Sequence, residues 1–364
     1  MNYCDKIHYT IYKTGKASFE EMVDALLAQL PTDEPILRLA FFGTPADNEQ
    51  YITRRLLLSE KVRERYGDHE PVLSYVSQPP SYASLILEVH SYKATEGDVL
   101  TSREHEGFPY VVLQNSDGRF LFTGGFHGDV VNCGIGEQSA EVFRLLGDVM
   151  SREGFPVNSI IRQWNYIEQI TAFDGPDQHY QLFNNARSDF YAGADWSNGY
   201  PAATGIGTNL GGILVDVDAA VFAAPGCFAT PIDNKLQVAA HAYSEQVLEA
   251  AGKKKTTPKF ERAKSMTFDG RRIVYISGTA AIRGEETLIG VGLERQLHIT
   301  MENIAELTGD ARLKMLRVYL KEKTFYEEAH RLLENYQLDI PISYMWADVC
   351  RDELLIEIEG IAIE

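Results

Sequence analysis

One order of secondary-structure signals recurs three times along this chain, and it limits the possible folds more than any other feature. In the last third, the strand pattern IVYIS precedes a helix, GLERQLHITMENIAEL, whose Leu293, Leu297, Met301, Ile304 and Leu307 share one face. The strand KMLRVYL, the helix FYEEAHRLLENY and the strands ISYMWADV and ELLIEIEGIAI follow. The middle third gives RFLFTGG, a helix with Val142, Leu145, Leu146 and Val149 on one side, SIIRQWNYI, the helix YQLFNNARSDFY and GILVDVDAAV. The first third runs from helix FEEMVDALLAQL to ILRLAFF, then helix NEQYITRRLLLSEKVRERY and strands VLSYVS and SLILEVHSY. Ser74 and Glu88 are 14 residues apart (88 minus 74), as are Ser343 and Glu357 (357 minus 343). The expected architecture is α/β (α+β): three copies of one βαβ-rich unit, spanning 1–95, 96–226 and 227–364, with the first copy degenerate. Helices on one face of each sheet leave the other face bare, so three units can bury their bare faces around a common axis, with clefts between units.

Acidic residues outnumber basic ones by 52 to 34, a formal charge of -18, so a nucleic-acid backbone is repelled on average and no nucleic-acid partner is expected. The short AGKKKTTPK segment (251–259) reads as a solvated loop. Cys4, Cys133, Cys227 and Cys350 form no CxxC pair and have no histidine at metal spacing, which fits a reducing cytoplasm and gives no signal for a metal or organic cofactor. Residues 1–30 lack a secretory pattern, and the longest apolar stretch, 219–229, is short and broken by Pro225. No membrane partner is expected, and a monomer or small homo-oligomer suits the composition.

The stretch RRIVYISGTAAIRGEET (271–287) ends a strand in a Ser-Gly-Thr turn, followed by a carboxylate pair and a helix, which is how a sheet edge becomes a pocket. Glu285 and Glu286 belong at its mouth. Together with IIRQWNYIEQI (160–170), YQLFNNARSDFY (180–191), PAATGIGTNLGG (201–212), PIDNKLQVAAHAYS (231–244), PKFERA (258–263) and ADVCRDELLIEIEG (347–360), this stretch resembles the chorismatase family. The repeated unit itself is similar to RidA (YjgF) proteins, in which three single-domain subunits form a trimer with pockets at the interfaces. The chorismatase resemblance covers residues 155 to 364 and is weak in the first 150. It implies hydrolysis of the enolpyruvyl ether of chorismate, a small anionic metabolite, to pyruvate and a dihydroxycyclohexadiene carboxylate or a hydroxybenzoate. RidA-type imine deamination uses an arginine just after a proline, and PVLSY (71–75), PAAT (201–204) and PISY (341–344) all lack it.

Protonating a vinyl carbon at neutral pH needs a carboxylic acid that stays protonated, through burial or a neighbouring carboxylate. The resemblance nominates Glu286, with Glu285 beside it; the plainer account is a solvated pair at a helix N-terminus. Substrate carboxylates call for arginine forks. Arg162 shares a strand face with Trp164 and Tyr166, so it is either a ligand wall with Tyr166 or an arginine stacked on core aromatics. Arg187 is a ligand group or an exposed helix residue. Tyr180 and Phe183 read as helix-to-sheet packing. Thr204 and Gly205, in a GxG followed by a strand rather than a helix, are donors to a substrate oxygen or part of a glycine-rich bulge. Thr279, in the turn that carries the acid, is expected to be a substrate-binding residue.

Two departures from the chorismatase pattern fall in the pocket segments. His241 and Ser244 stand where the family has a tyrosine and a proline, and His241 is either a substitute hydrogen-bonding group or a strand histidine facing solvent. The turn reads Gly284-Glu285-Glu286 instead of Gly-His-Glu, which makes the surroundings of the acid more negative. Aromatising members carry a cysteine near the acid; the turn 279–281 has none and Cys350 lies in another strand, which favours the diene diol. The competing readings are a non-catalytic RidA-like metabolite-binding protein and, against the net charge, an RNA-cleaving one.

Overall fold

The computed structural model describes residues 1–242 and 257–364; Ser244 and positions 251–256 of the basic segment lie outside the described residues. Three sheets carry the chain. The first holds β1 (Ile7–Thr14), β2 (Ile36–Gly43), β3 (Val72–Val76) and β4 (Leu85–Tyr92) in the order β1-β4-β2-β3. The second holds β5 (Val99–His105), β6 (Phe108–Gln114), β7 (Gly118–His127), β8 (Ile160–Glu168), β9 (Ala202–Thr208) and β10 (Ile213–Phe222) in the order β5-β6-β7-β10-β8-β9. The third holds β11 (Cys227–Ile232), β12 (Ala263–Phe268), β13 (Arg271–Ala280), β14 (Arg312–Leu320), β15 (Ile342–Trp346) and β16 (Ile356–Ile363) in the order β11-β12-β13-β16-β14-β15. The second and third orders are the same topology, and the first is that topology without its leading hairpin. Three units of one topology in one chain is therefore the fold, as the recurrent pattern suggested.

Each unit sends a helix from its first shared strand to the next and another into the parallel strand: α1 (Phe19–Leu27) and α2 (Asn48–Tyr66), α3 (Ile135–Glu153) and α4 (His179–Tyr191), α5 (Gly292–Thr308) and α6 (Tyr326–Glu334). Local chemistry fixes their starts. Ser18 and Glu21 form a capping box on α1, and the Asp47 side chain accepts from the Gln50 backbone N–H at 2.8 Å at the head of α2. The apolar stripe of α3 (Val142, Leu146, Val149) packs on its own sheet, and that of α5 (Leu297, Ile304, Leu307) does the same in the third unit.

The inner faces meet on the axis. Two apolar clusters draw on all three sheets, one around Leu37, Ile161 and Met315, the other around Phe42, Tyr166 and Tyr319. Between them lies a layer of buried charge. Arg38 on β2 meets Asp218 on β10 at 2.7 Å, Arg162 on β8 meets Glu359 on β16, and Arg317 on β14 meets Glu88 on β4 through two bonds of 2.6 Å. Each arginine reaches the last strand of the next unit, so three ion pairs run in one rotational sense around the axis. The Arg162 fork also lies 4.8 Å from the Trp164 ring.

Strand register shows which carboxylates correspond. Arg38, Arg162 and Arg317 lie opposite His90, Asp218 and Glu359 within their own sheets, and two residues earlier stand Glu88, Asp216 and Glu357. The match of Glu88 with Glu357 inferred from spacing thus holds. The match of Ser74 with Ser343 does not: Ser74 faces Ala40, whereas Ser343 faces Arg317 itself. Other departures have physical causes. Within the glycine-rich 201–212 segment, Ala202–Thr208 is a true strand, β9, parallel to β8, and the described part of QVAAHAYS, 237–242, is not a strand, since 240–242 turns as a 3-10 helix. The first two strands of the second and third units add at one sheet edge, β5–β6 as a hairpin and β11–β12 across a long connection, and the βαβ pattern gave no cue to them.

Removing one member of a buried pair leaves the other charge stranded. Arg317→Met should cost about 3–5 kcal/mol in chemical denaturation, and adding Glu88→Gln should restore part of that loss. A loss within about 1 kcal/mol would contradict the role given to this layer.

Candidate active site

A cavity of about 560 Å³ opens between the second and third units. Helix α4 supplies Tyr180, Gln181 and Asn184 to one wall, and β9 supplies Ala203, Thr204 and Gly205. From the third unit come Gly278, Ala280 and Ile282, the Glu285–Thr287 turn, Arg262, the 350–354 segment and Glu357.

Glu357 is the sheltered acid of this cavity. It is 5 % exposed and accepts no hydrogen bond among the described residues. Burial and then the neighbouring Glu359 carboxylate push its carboxyl up to about 8, although Arg262, Arg162 and Arg351 oppose the rise. Space for it comes from Gly278, where a Cβ would stand 2.1 Å from the Glu357 Oε1. The equivalent Glu88 behaves in the opposite way: burial would raise its carboxyl too, but the Arg317 fork and His90 hold it at about 2. The difference lies two residues along the strand. Position 90 is a histidine, so Arg317 turns to Glu88; position 359 is a glutamate that takes Arg162, Thr204, Arg317 (2.9 Å) and the Tyr319 hydroxyl (3.0 Å), so no guanidinium closes on Glu357.

Against this geometry the residues named from sequence divide. Thr204, Gly205 and Glu286 line the cavity. Glu286, however, is exposed at the mouth, in the short hairpin formed by 282–283 and 286–287, and does not meet the requirement for a sheltered acid. Arg162 lies behind the wall, 1 % exposed, donating to Thr204 Oγ1 at 2.6 Å and to Glu359. Thr204 therefore connects cavity and charge layer, and its Oγ1 also accepts from the Gly278 N–H at 3.0 Å. Tyr166 belongs to the axis, where its hydroxyl accepts from Arg317 at 2.6 Å. Arg187 is buried, not exposed on its helix; it donates to the Asn184 Oδ1 at 2.5 Å and so backs a residue of the wall. Thr279 points to the opposite face from Gly278 and Ala280 and donates to the Ser277 carbonyl at 2.8 Å. His241 sits away from the cavity wall, its Nδ1 3.8 Å from Glu261, in a turn rather than a solvent-facing strand.

Several wall residues were not singled out in the sequence, although the matching segments contain them. Arg262 belongs to PKFERA and donates to the Val238 carbonyl at 2.9 Å. Arg351 holds the hairpin by donating to Thr287 Oγ1 at 2.8 Å and to the Glu285 carbonyl at 3.2 Å. Cys350 lines the same cavity as Glu357, which overturns the expectation of no cysteine near the acid; burial and Glu357 push its thiol up to about 12, so it stays a neutral thiol at neutral pH. Tyr180 likewise forms wall rather than packing alone, its ring seated where a Gly205 Cβ would stand 3.0 Å away. Phe183 is core, as expected. The legible signal was ELLIEIEGIAI itself, since alternation puts Glu357 and Glu359 together on a face that is otherwise apolar.

Residues 99–219 match the family model described as chorismatase FkbO/Hyg5-like, N-terminal. The chain is 29% identical over 232 residues to a 3-hydroxybenzoate synthase of Streptomyces hygroscopicus, an alignment that covers 58% of this chain and 65% of that relative. It is chorismatase-like. A chorismatase of Streptomyces rapamycinicus is 28% identical over 246 residues, 61% of this chain and 69% of the relative. A chorismatase crystal structure superposes with a TM-score of 0.70 at 20% identity over 98% of both chains, so the three-unit fold is common to the two. No helix among the described residues is long and apolar enough to cross a membrane.

The state of Glu357 has a consequence for stability. Between the ordinary carboxylate value of 4.5 and about 8, the folded chain keeps a proton that the unfolded chain has released, so this group's contribution to stability falls as pH rises through that window. Glu357→Gln removes that contribution. Denaturant midpoints measured across the window should decline less steeply in the variant than in the wild type; parallel curves would contradict a protonated Glu357.

Proposed function

We propose that this chain is an enzyme that cleaves the enolpyruvyl ether of chorismate, with Glu357 as the general acid. The observation that carries the reading is a buried carboxyl, raised to about 8, on the wall of a cavity that also presents Arg262 and Arg351. Glu357 transfers its proton to the terminal vinyl carbon, which leaves an oxocarbenium ion beside the newly formed carboxylate. Water adds to that ion, and the hemiketal collapses with cleavage of the bond between its carbon and the ring oxygen. Pyruvate departs, the ring keeps its oxygen as a hydroxyl, and a proton returns to Glu357. Arg262 and Arg351 take the two substrate carboxylates, since a guanidinium fork matches a carboxylate and the global charge of -18 offers no other attraction. Thr204, held by Arg162 and Gly278, positions the ring side.

Addition of one water without further change gives a dihydroxycyclohexadiene carboxylate. Loss of one water from that diol gives a hydroxybenzoate, so the aromatic route is isomeric overall: chorismate becomes pyruvate and hydroxybenzoate. Cys350 beside the acid favours the aromatic product, because the family resemblance associates a cysteine at that place with aromatisation, and the 3-hydroxybenzoate synthase similarity points the same way. In this reading the second and third units, 96–226 and 227–364, form the active cleft. The first, 1–95, supplies the Glu88 that anchors Arg317.

Purified protein incubated with chorismate should release pyruvate, with kcat falling as pH rises through about 8. Glu357→Gln should reduce release by about 10²–10⁴-fold, the range for loss of a general acid, whereas Glu286→Gln should leave most of it. Cys350→Ala should keep pyruvate release and move the ring product from hydroxybenzoate to the diene diol. Tight chorismate binding with no pyruvate from the wild type would instead support the binding-only reading, and a larger loss at Glu286 than at Glu357 would reassign the acid.

A further inference from the structure

A second cavity, of about 730 Å³, opens between the first and second units. It occupies the place of the acid-bearing cavity one unit earlier: α2, β3 and β7 contribute to it as α4, β9 and β13 contribute to the other. One glycine fixes the correspondence, because a Cβ on Gly124 would stand 2.1 Å from the Asp216 Oδ1, just as one on Gly278 would from Glu357. The acid at this place is committed. Asp216 Oδ1 accepts from Ser74 Oγ at 2.6 Å and from the Gly125 N–H at 2.7 Å, and Oδ2 lies 3.3 Å from Arg38. The third equivalent cleft, between the last unit and the first, is filled: Tyr82 stacks on Tyr326 at 5.6 Å and meets Tyr344 edge-on, while Ser81 and Trp346 zip the segment to β15.

The open second cleft joins apolar wall to a rim of carboxylates, and one arginine, Arg55, lines it among the described residues. Leu73, Phe108, Leu145 and Leu214 form its walls. Its carboxylates all have partners: Glu106 and Glu141 hold Arg144 at 2.8 and 2.7 Å, Glu137 accepts the Gly134 N–H at 3.1 Å, and Asp129 accepts the Val131 and Asn132 N–H groups at 3.0 and 3.1 Å. Arg55 makes neither hydrogen bond nor ion pair among the described residues; burial disfavours its charge, and its ring neighbour is Tyr51 at 5.9 Å. His127 faces the same space with its Nδ1 donating to the Gly128 carbonyl at 3.1 Å, and burial together with Arg55 pushes the imidazole down to about 4, so it adds no second charge. A guanidinium beside apolar wall, with the lining carboxylates committed to other partners, suits one anionic group on an apolar body.

We propose that the cleft between the first and second units is a second ligand site, which binds a small ring-bearing monocarboxylate with its carboxylate on Arg55. With Asp216 outside the cavity lining and held by Ser74, the Gly125 N–H and Arg38, this site binds without chemistry. The proposal does not depend on the reaction assigned to the other cleft.

Two cysteines report the two cavities separately, since Cys133 lines this one and Cys350 lines the acid-bearing one. Iodoacetamide alkylation, followed peptide by peptide by mass spectrometry with benzoate as the probe, should slow at Cys133 in the wild type. Arg55→Gln should need about tenfold more benzoate for the same protection, the factor that corresponds to one charge-assisted hydrogen bond, and Arg55→Lys should recover part of it. Unchanged Cys133 alkylation, equal protection in wild type and Arg55→Gln, or protection confined to Cys350 would each overturn the second site.

Discussion

The ion pair between Arg162 and Glu359 is the interaction on which the rest of the candidate site depends, because it takes one of two neighbouring inward carboxylates and leaves the other without a bonded guanidinium. Glu357 and Glu359 are two positions apart on β16 and face the same interior. Arginines, a tyrosine and a threonine bond Glu359, and its carboxylate acts on Glu357 as a like neighbour. A buried carboxyl without a bonded cation next to a buried carboxylate responds by holding its proton. In this way a structural pair on the axis produces an acid on a cavity wall.

The same layer explains how three similar units come to hold three different clefts. Around the axis the arginine position is constant and the facing pair varies: Glu88 with His90, Asp216 with Asp218, and Glu357 with Glu359. Only the last combination puts two glutamates in reach of one incoming arginine. In the first, the histidine accepts no fork and Arg317 closes on Glu88; in the second, the shorter aspartates both lie within reach of Arg38, at 3.3 and 2.7 Å. Burying such charges is costly, and their use here is to fix which strand faces which and to tune one carboxyl.

Much of the fold was legible because hydrophobic periodicity is a local property. The helix NEQYITRRLLLSEKVRERY is α2 residue for residue, and the recurrent order of helices and strands gave the three-unit architecture. Strand β9 was hidden by its glycines, which are there so that the Tyr180 ring can pack against Gly205, and the edge hairpin β5–β6 lacks a helix to announce it. The candidate site was legible at the level of segments and not of side chains. ADVCRDELLIEIEG contains Cys350, Arg351 and Glu357, but which of its carboxylates is sheltered depends on Arg162, nearly two hundred residues away in sequence, and no local pattern carries that. Glu286 was nominated by the family resemblance, on a turn, and turns are exposed.

The most direct test is the ionisation of Glu357 itself, followed by carbon-13 NMR of labelled glutamate carboxyls and assigned by loss of the signal in Glu357→Gln. The account predicts a midpoint near 8 in the wild type, and a lower one in Glu359→Gln, where the like charge is gone and Arg162 is released toward Glu357. A wild-type midpoint in the ordinary carboxylate range, or one unmoved by Glu359→Gln, would contradict it.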